Sequence, residues 1–208
     1  MIHLYNKLKR AAGVMPLLLL GLLLAASACS ENDGEPDEFP NWQQTNDAYF
    51  ASLYNRAFEM MLSSDYSTAS SWKVLRKWSL VDSLAKKPTD YVVVHVLQSG
   101  TSDETPCYTD SVRVSYEGRL LPSTNFPDGY VFDRSYYGDF DLGTAKPSTF
   151  AVSGVIEGWT TVLQQMHPGD YWEVTIPYNL GYGTTASGSI PAYSTLIFKI
   201  YLHEVVRK

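Results

Sequence analysis

The sequence has few of the residues that form disulfide frameworks or metal centres. Its only cysteines among 208 residues are Cys29 and Cys107, so a multi-disulfide fold is excluded. No basic residue is close to Cys107 in sequence, and we expect it to be a small packed side chain rather than a nucleophile. The histidines lack the spacing of metal ligands, and the Gly-x-Ser-x-Gly motif is absent. We therefore expect no metal, no cofactor and no covalent catalysis.

Positive charge is also scarce. The chain has 16 Lys and Arg against 22 Asp and Glu, a formal net charge of −6. Residues 1–28 contain three of the basic residues and none of the acidic ones, so removing them would leave −9. Such an acidic protein is poorly suited to bind nucleic acid or an anionic membrane surface.

The amino terminus has the layout of a secretory signal over residues 1–28. Basic residues come first, an apolar run follows at 17–24, and small residues precede Cys29. This ending resembles a bacterial lipoprotein cleavage site. The resemblance implies a lipidated Cys29 and an extracytoplasmic protein held at the outer membrane by lipid alone. The alternative is an uncleaved transmembrane anchor, because residues 11–29 are nearly long enough to cross a bilayer.

Residues 29–40 are acidic, contain Pro and Gly and show no apolar periodicity, which predicts a flexible tether. They resemble the acidic signal that follows the lipidated cysteine in surface-exposed lipoproteins of Bacteroidetes. A spacer with no sorting role is an equal alternative.

Residues 41–89 are predicted to form an amino-terminal helical segment. From Trp42 to Leu62 the apolar residues follow a helical period without Pro or Gly, and Asn41 could cap this helix. Its apolar face could pair with a second copy in a homodimer, or pack onto the protein's own sheet through Trp72 and Trp78. We favour the second packing and expect a monomer.

Residues 90–208 consist mainly of predicted strands. Segments 112–116 and 171–176 alternate between apolar and polar residues, as in a sheet with one covered face. Between them, an apolar stripe at i, i+3, i+4 and i+7 predicts a short helix and consists of Trp159, Val162, Leu163 and Met166. The pattern indicates an α+β fold in which a twisted antiparallel sheet wraps around a short helix.

A set of motifs appears in fixed order within this region. They are Tyr116, Val131-Phe132-Asp133, Val155-Ile156-Glu157-Gly158-Trp159, Ile176-Pro177-Tyr178, Gly181-Tyr182-Gly183 and Ile190-Pro191. Together they resemble the FKBP-type peptidyl-prolyl cis/trans isomerases. The resemblance implies the FKBP-like fold, enzymatic isomerisation of X-Pro bonds, and proline-containing polypeptides as clients, meaning exported proteins whose folding is assisted. It also implies a pocket able to bind macrolide-type inhibitors.

The resemblance further implies which residues form the pocket: Tyr116, Phe132, Asp133, Val155, Ile156, Trp159, Tyr182, Ile190 and Phe198. Trp159 would carry the proline ring, and Ile190 would close the near side. The Tyr182 hydroxyl and the Ile156 backbone N–H would each bind a substrate carbonyl, with Asp133 at the rim. Taken singly, Trp159, Phe132 and Phe198 would each more often be an ordinary core residue than a pocket residue. Asp133 could instead serve as a local backbone cap.

Two other functions are compatible with the same scaffold. Ser148, Gly181 and Ser189 depart from the family pattern, which favours a cell-surface chaperone or peptide-binding module without turnover. A structural lipoprotein is the third hypothesis. The segment 135–147 is longer than the family pattern, and its aromatic residues could contact a client or cover a sheet edge.

Overall fold

The computed structural model describes residues 37–65, 67 and 70–207. The predicted signal segment 1–28, the lipidation site Cys29 and most of the predicted tether lie outside the described residues. Within the described part of the chain, no helix has the length and apolar character needed to cross a bilayer.

The described residues form two α-helices and a seven-stranded sheet. The helices are α1 (Trp42–Met61) and α2 (Glu157–Leu163). The strands are β1 (Trp72–Arg76), β2 (Tyr91–Gln98), β3 (Ser111–Arg119), β4 (Val131–Arg134), β5 (Ser148–Ala151), β6 (Tyr171–Ile176) and β7 (Leu196–Val206).

The sheet is antiparallel at every pairing and has the order β1-β2-β6-β7-β3-β4. β5 pairs with the first half of β3, and β4 pairs with its second half. The two short strands therefore share one edge of β3. Residues of β3, β4 and β5 therefore lie close together along this edge.

α2 packs against one face of the sheet. Its predicted stripe is buried, with Trp159 exposed by only 4% and Val162, Leu163 and Met166 fully enclosed. Gly158 permits this approach, because a Cβ there would lie 2.4 Å from Cγ2 of Ile176 on β6. The predicted α+β fold, with the sheet around a short helix, is thus confirmed.

α1 packs against the opposite face of the sheet. Phe50, Leu53 and Ala57 form a second buried cluster with Val93 of β2, and Trp72 packs against it. Val93 points away from α2, whereas its neighbours in β2 belong to the main core.

Two buried polar contacts fix the start of α1 to the segment before β7. The Trp42 indole Nε1–H donates to Ser194 Oγ at 2.8 Å. The backbone N–H of Thr195 donates to the buried Asn46 Oδ1 at 2.7 Å. The helix therefore packs onto its own sheet, while the homodimer alternative stays an untested prediction.

Three local expectations were wrong. Asn41 has a left-handed backbone (φ 51°, ψ 33°) and makes no side-chain cap; only its carbonyl accepts, from the N–H of Thr45. Trp78 lies beyond β1 and contacts Tyr108 instead of α1. Cys107 is exposed, because it opens a tight turn in which its N–H donates to Asp110 Oδ2 at 2.8 Å.

The long segment 135–147 packs on the same face of the sheet as α1. Tyr136 is buried, and Phe140 stacks on Tyr171 of β6 with ring centroids 4.9 Å apart. Tyr137 is the exception: its side chain is 84% exposed beside Arg134. The aromatic residues of this segment therefore mainly cover the sheet.

Residues Glu38 and Phe39 contact the folded domain. Glu38 accepts hydrogen bonds from the Ser123 hydroxyl and from the backbone N–H of Asn125. The Phe39 ring packs edge-on against Trp42 at a centroid distance of 4.7 Å. The end of the predicted tether is thus part of the domain surface.

Candidate active site

The site is built around Trp159 in the first turn of α2. Three rings meet its indole at steep angles: Tyr116 at 5.2 Å and 89°, Phe198 at 5.2 Å and 84°, and Phe150 at 5.7 Å and 75°. Edge-to-face packing of this kind is favourable for aromatic pairs. Because the rings come from β3, β7 and β5, the helix residue joins three strands at one point.

These rings form one end of a pocket with a volume of about 300 Å³. Phe132 and Asp133 enter from β4, Val155 and Ile156 from the turn before α2, and Tyr182 from the loop before β7. Most of the wall is apolar and aromatic. A pocket of this size holds a group comparable to a proline ring and its neighbouring peptide atoms.

Asp133 gives the pocket its polar rim. The Tyr116 hydroxyl donates to Asp133 Oδ2 at 2.8 Å, and the N–H of Arg134 donates to Asp133 Oδ1 at 2.9 Å. Burial raises the pKa of Tyr116 above its ordinary value, and the hydrogen bond to Asp133 and its charge raise it further. Asp133 thus serves both as a local cap and as the orienting partner of a pocket tyrosine.

Two hydrogen-bond donors of the pocket have no partner among the described residues. They are the backbone N–H of Ile156, which precedes α2, and the hydroxyl of Tyr182. The Tyr182 side chain is 43% exposed. Partial burial is the main cause that raises the pKa of Tyr182, and the charge of Asp133 raises it further. The phenol is therefore protonated at neutral pH. Both donors are available to a ligand.

The structure brings together eight of the nine predicted pocket residues. Ile190 is not among the residues that line the cavity; it is 6% exposed and belongs to the same core cluster as Trp159 and Phe198. Its role in closing the near side stays a prediction. Sequence reasoning missed Phe150 and Gly154, which do line the pocket. The available signal for Phe150 was its position in β5: residues 148 and 150 point to the same, less exposed face, and residues 149 and 151 point to the other.

Gly118 of β3 lets the pocket close. A Cβ at this position would lie 2.5 Å from Cε1 of Phe198 and 2.7 Å from Cζ of Phe132. Real Cβ atoms do not make contacts that short, so any side chain here would displace rings of the pocket wall. Gly118 therefore positions Phe132 and Phe198.

Gly118→Ala should move both rings and destabilise the domain by about 1–3 kcal/mol, the usual cost of overpacking. Urea unfolding measures the loss, and the aromatic NMR shifts of Phe132 and Phe198 report the movement. Gly143→Ala is the matched control, because a Cβ at Gly143 meets only Oδ1 of the exposed Asp141, at 3.3 Å. Equal stability of the two variants would contradict this role for Gly118.

Comparison with known proteins matches residues 102–203 to the family described as FKBP-type peptidyl-prolyl cis-trans isomerase. The FKBP-type 22 kDa peptidyl-prolyl cis-trans isomerase of Escherichia coli K12 is 43% identical over 102 residues, which are 49% of this chain and 44% of that protein. The Outer membrane protein MIP of Legionella longbeachae is 41% identical over 111 residues, 53% of this chain and 42% of that protein.

A solved structure shares the architecture. The crystal structure of a peptidyl-prolyl cis-trans isomerase from Pseudomonas syringae pv. tomato DC3000 aligns with a TM-score of 0.52 and 26% identity, over 78% of this chain and 96% of that one. The chain spans about half the length of the curated relatives it matches. By this match, residues 102–203 form an FKBP-type peptidyl-prolyl cis-trans isomerase domain.

Proposed function

We propose that this protein catalyses cis/trans isomerisation of X-Pro bonds in proline-containing polypeptides and so assists the folding of exported proteins. One observation carries the proposal. An aromatic pocket of about 300 Å³ contains two free hydrogen-bond donors, Ile156 N–H and Tyr182 Oη–H. Family membership supports the same reaction. Macrolide-type inhibitors are proposed to occupy this pocket as well.

The reaction requires only that the bond rotates. Rotation faces a barrier of about 18–20 kcal/mol, because the twisted state loses amide resonance. A catalyst lowers this barrier if it binds the twisted imide more tightly than either planar isomer. No nucleophile or metal is needed for that.

The pocket residues supply such differential binding. The proline ring would rest on Trp159, where surrounding rings exclude water. The twisted imide is less polarised than the planar one and loses less solvation on entering this apolar site. Tyr182 and the Ile156 N–H would hold the carbonyls on the two sides of the rotating bond, so that the chain beyond them is fixed while the bond turns.

Asp133 acts through Tyr116 in this proposal. Its carboxylate accepts from the Tyr116 hydroxyl and holds that ring against Trp159. Its charge also helps to keep the Tyr182 phenol protonated, which preserves the donor. No proton is transferred in the reaction.

Replacing Tyr182 by Phe removes one donor and leaves the ring. We expect kcat/KM for a short X-Pro peptide to fall by about 2- to 10-fold, the equivalent of one hydrogen bond. Tyr137→Phe is the matched control, because it removes a hydroxyl from a tyrosine outside the pocket. A Tyr182 variant as active as the Tyr137 variant would contradict the donor role. A parent protein that accelerates no X-Pro peptide would favour the peptide-binding module.

We also propose an extracytoplasmic protein that is anchored to the outer membrane by lipid on Cys29, facing either the periplasm or the cell exterior. The signal-like pattern of residues 1–28 supports this location, as does the similarity to a relative named as an outer membrane protein. Residues 29–36 would link the lipid to the domain. Residues 41–89 would form the amino-terminal segment, and residues 90–208 the isomerase domain.

Cys29→Ala should abolish lipid attachment, because the thiol that would form the thioether bond to the lipid is lost. Expression in a Gram-negative host with labelled fatty acid measures attachment directly. Cys107→Ala is the control and should be labelled like the parent. Equal labelling of the Cys29 variant and the parent would exclude Cys29 as the lipidation site.

A further inference from the structure

Two exposed aromatic side chains lie together at the surface outside the pocket. Trp78, which follows β1, is 44% exposed, and Tyr108, in the turn before β3, is 41% exposed. Their ring centroids are 4.6 Å apart with an interplanar angle of 30°. We call these two residues the aromatic pair. Paired aromatic side chains that remain in water are typical of surfaces that contact another chain.

The Trp78 side of the pair is attached to the first turn of α2. The residue before it, Lys77, lies 3.6 Å from a carboxylate oxygen of Glu157, and the residue after it, Ser79, donates a hydrogen bond to the same carboxylate. The backbone N–H of Trp78 donates to Thr161 Oγ1 at 3.2 Å. Three consecutive residues are thus held against α2.

The Tyr108 side is attached to the turn that precedes α2. The carbonyl of Asp110 accepts from the N–H of Val152 at 3.0 Å, and Val152 opens the 3-10 turn that ends at Gly154. Gly154 and Ile156 line the pocket, and Glu157 is the next residue along the chain. The aromatic pair is therefore anchored to Glu157 and Val152, which lie in sequence on either side of the pocket wall formed by residues 154–156.

We propose that the aromatic pair is a second contact surface for the client chain whose proline occupies the pocket. This inference rests on the proposed function. The occupant is a large apolar or aromatic residue of the client, a few positions from its proline. A chain leaving the pocket past Ile156 reaches this surface, since an extended segment of three to six residues covers roughly 10–20 Å.

The chemistry of the surface fits an apolar side chain. Each ring covers one face of the other and leaves its outer surface to a client side chain. The nearby charges are paired, Lys77 with Glu157 and Arg76 with Asp82. Contacts of this type strengthen binding without touching the rotating bond, so they should lower KM and leave kcat nearly constant. They would make the protein prefer unfolded segments that have an apolar residue near proline.

The test compares long and short substrates with the full chain. The long peptides carry one Phe at each position from three to six residues before or after X-Pro, and each is paired with a peptide that has Ser in its place. We expect at least one Phe peptide to exceed its Ser partner by about 3- to 10-fold in kcat/KM, through KM. In Trp78→Ser/Tyr108→Ser this ratio should fall to about one.

Phe126→Ser is the matched control. Phe126 is a 40% exposed aromatic residue that pairs with Tyr130 in the segment between β3 and β4. It should retain the Phe-to-Ser ratio of the parent. A double variant that keeps the parental ratio, or a parent with no preference at any position, would overturn the inference.

A second readout separates this inference from the proposed function. Fluorescence anisotropy of labelled Phe and Ser peptides gives Kd for the parent and the double variant without any turnover. Suppose that the parent binds the Phe peptide more tightly than the Ser peptide, that the double variant does not, and that the parent accelerates no isomerisation. The inference about the aromatic pair is then supported and the proposed function fails. If the parent isomerises the peptides but the double variant binds both as the parent does, the inference alone fails.

Discussion

The contact between Trp159 and three rings of the sheet determines the geometry of this domain. An aromatic side chain buries about 150–250 Å², and here one indole packs against Tyr116, Phe150 and Phe198 at once. The contact holds a helix of only two turns against the sheet. It also creates the pocket, because the rings that fix Trp159 are the rings that line the cavity. Stability and binding thus depend on the same side chains.

Such a contact requires close approach on both sides. Gly158 lets α2 lie directly on Ile176, and Gly118 leaves room for the rings of Phe132 and Phe198. α2 covers only one face of the sheet. On the opposite face, apolar side chains are packed against α1 and the segment 135–147.

The sequence predicted most features that follow from local periodicity. The strand Tyr171–Ile176 has the predicted bounds, and its apolar residues Trp172, Val174 and Ile176 are buried as the alternation predicted. The buried stripe of α2 was predicted from its own, helical period. The pocket itself was predicted through the family resemblance, since its residues come from four strands, α2 and two connecting segments, and no local pattern connects them.

The features that sequence reasoning missed depend mainly on contacts distant in sequence. Phe150 reaches the pocket because β5 pairs with β3. The role of Gly118 depends on two rings from other strands. Trp78 was predicted to contact α1, yet its backbone is held by α2 and its ring stays at the surface.

The central claim is that the proline ring of a substrate rests on Trp159. Intermolecular NOEs between a proline-labelled X-Pro peptide and the protein test it most directly, with the indole signals assigned through Trp159→Phe. The account predicts NOEs from the proline Hγ and Hδ atoms to the Trp159 ring and to Phe198. Proline NOEs confined to residues outside the pocket, such as Trp78, would contradict it.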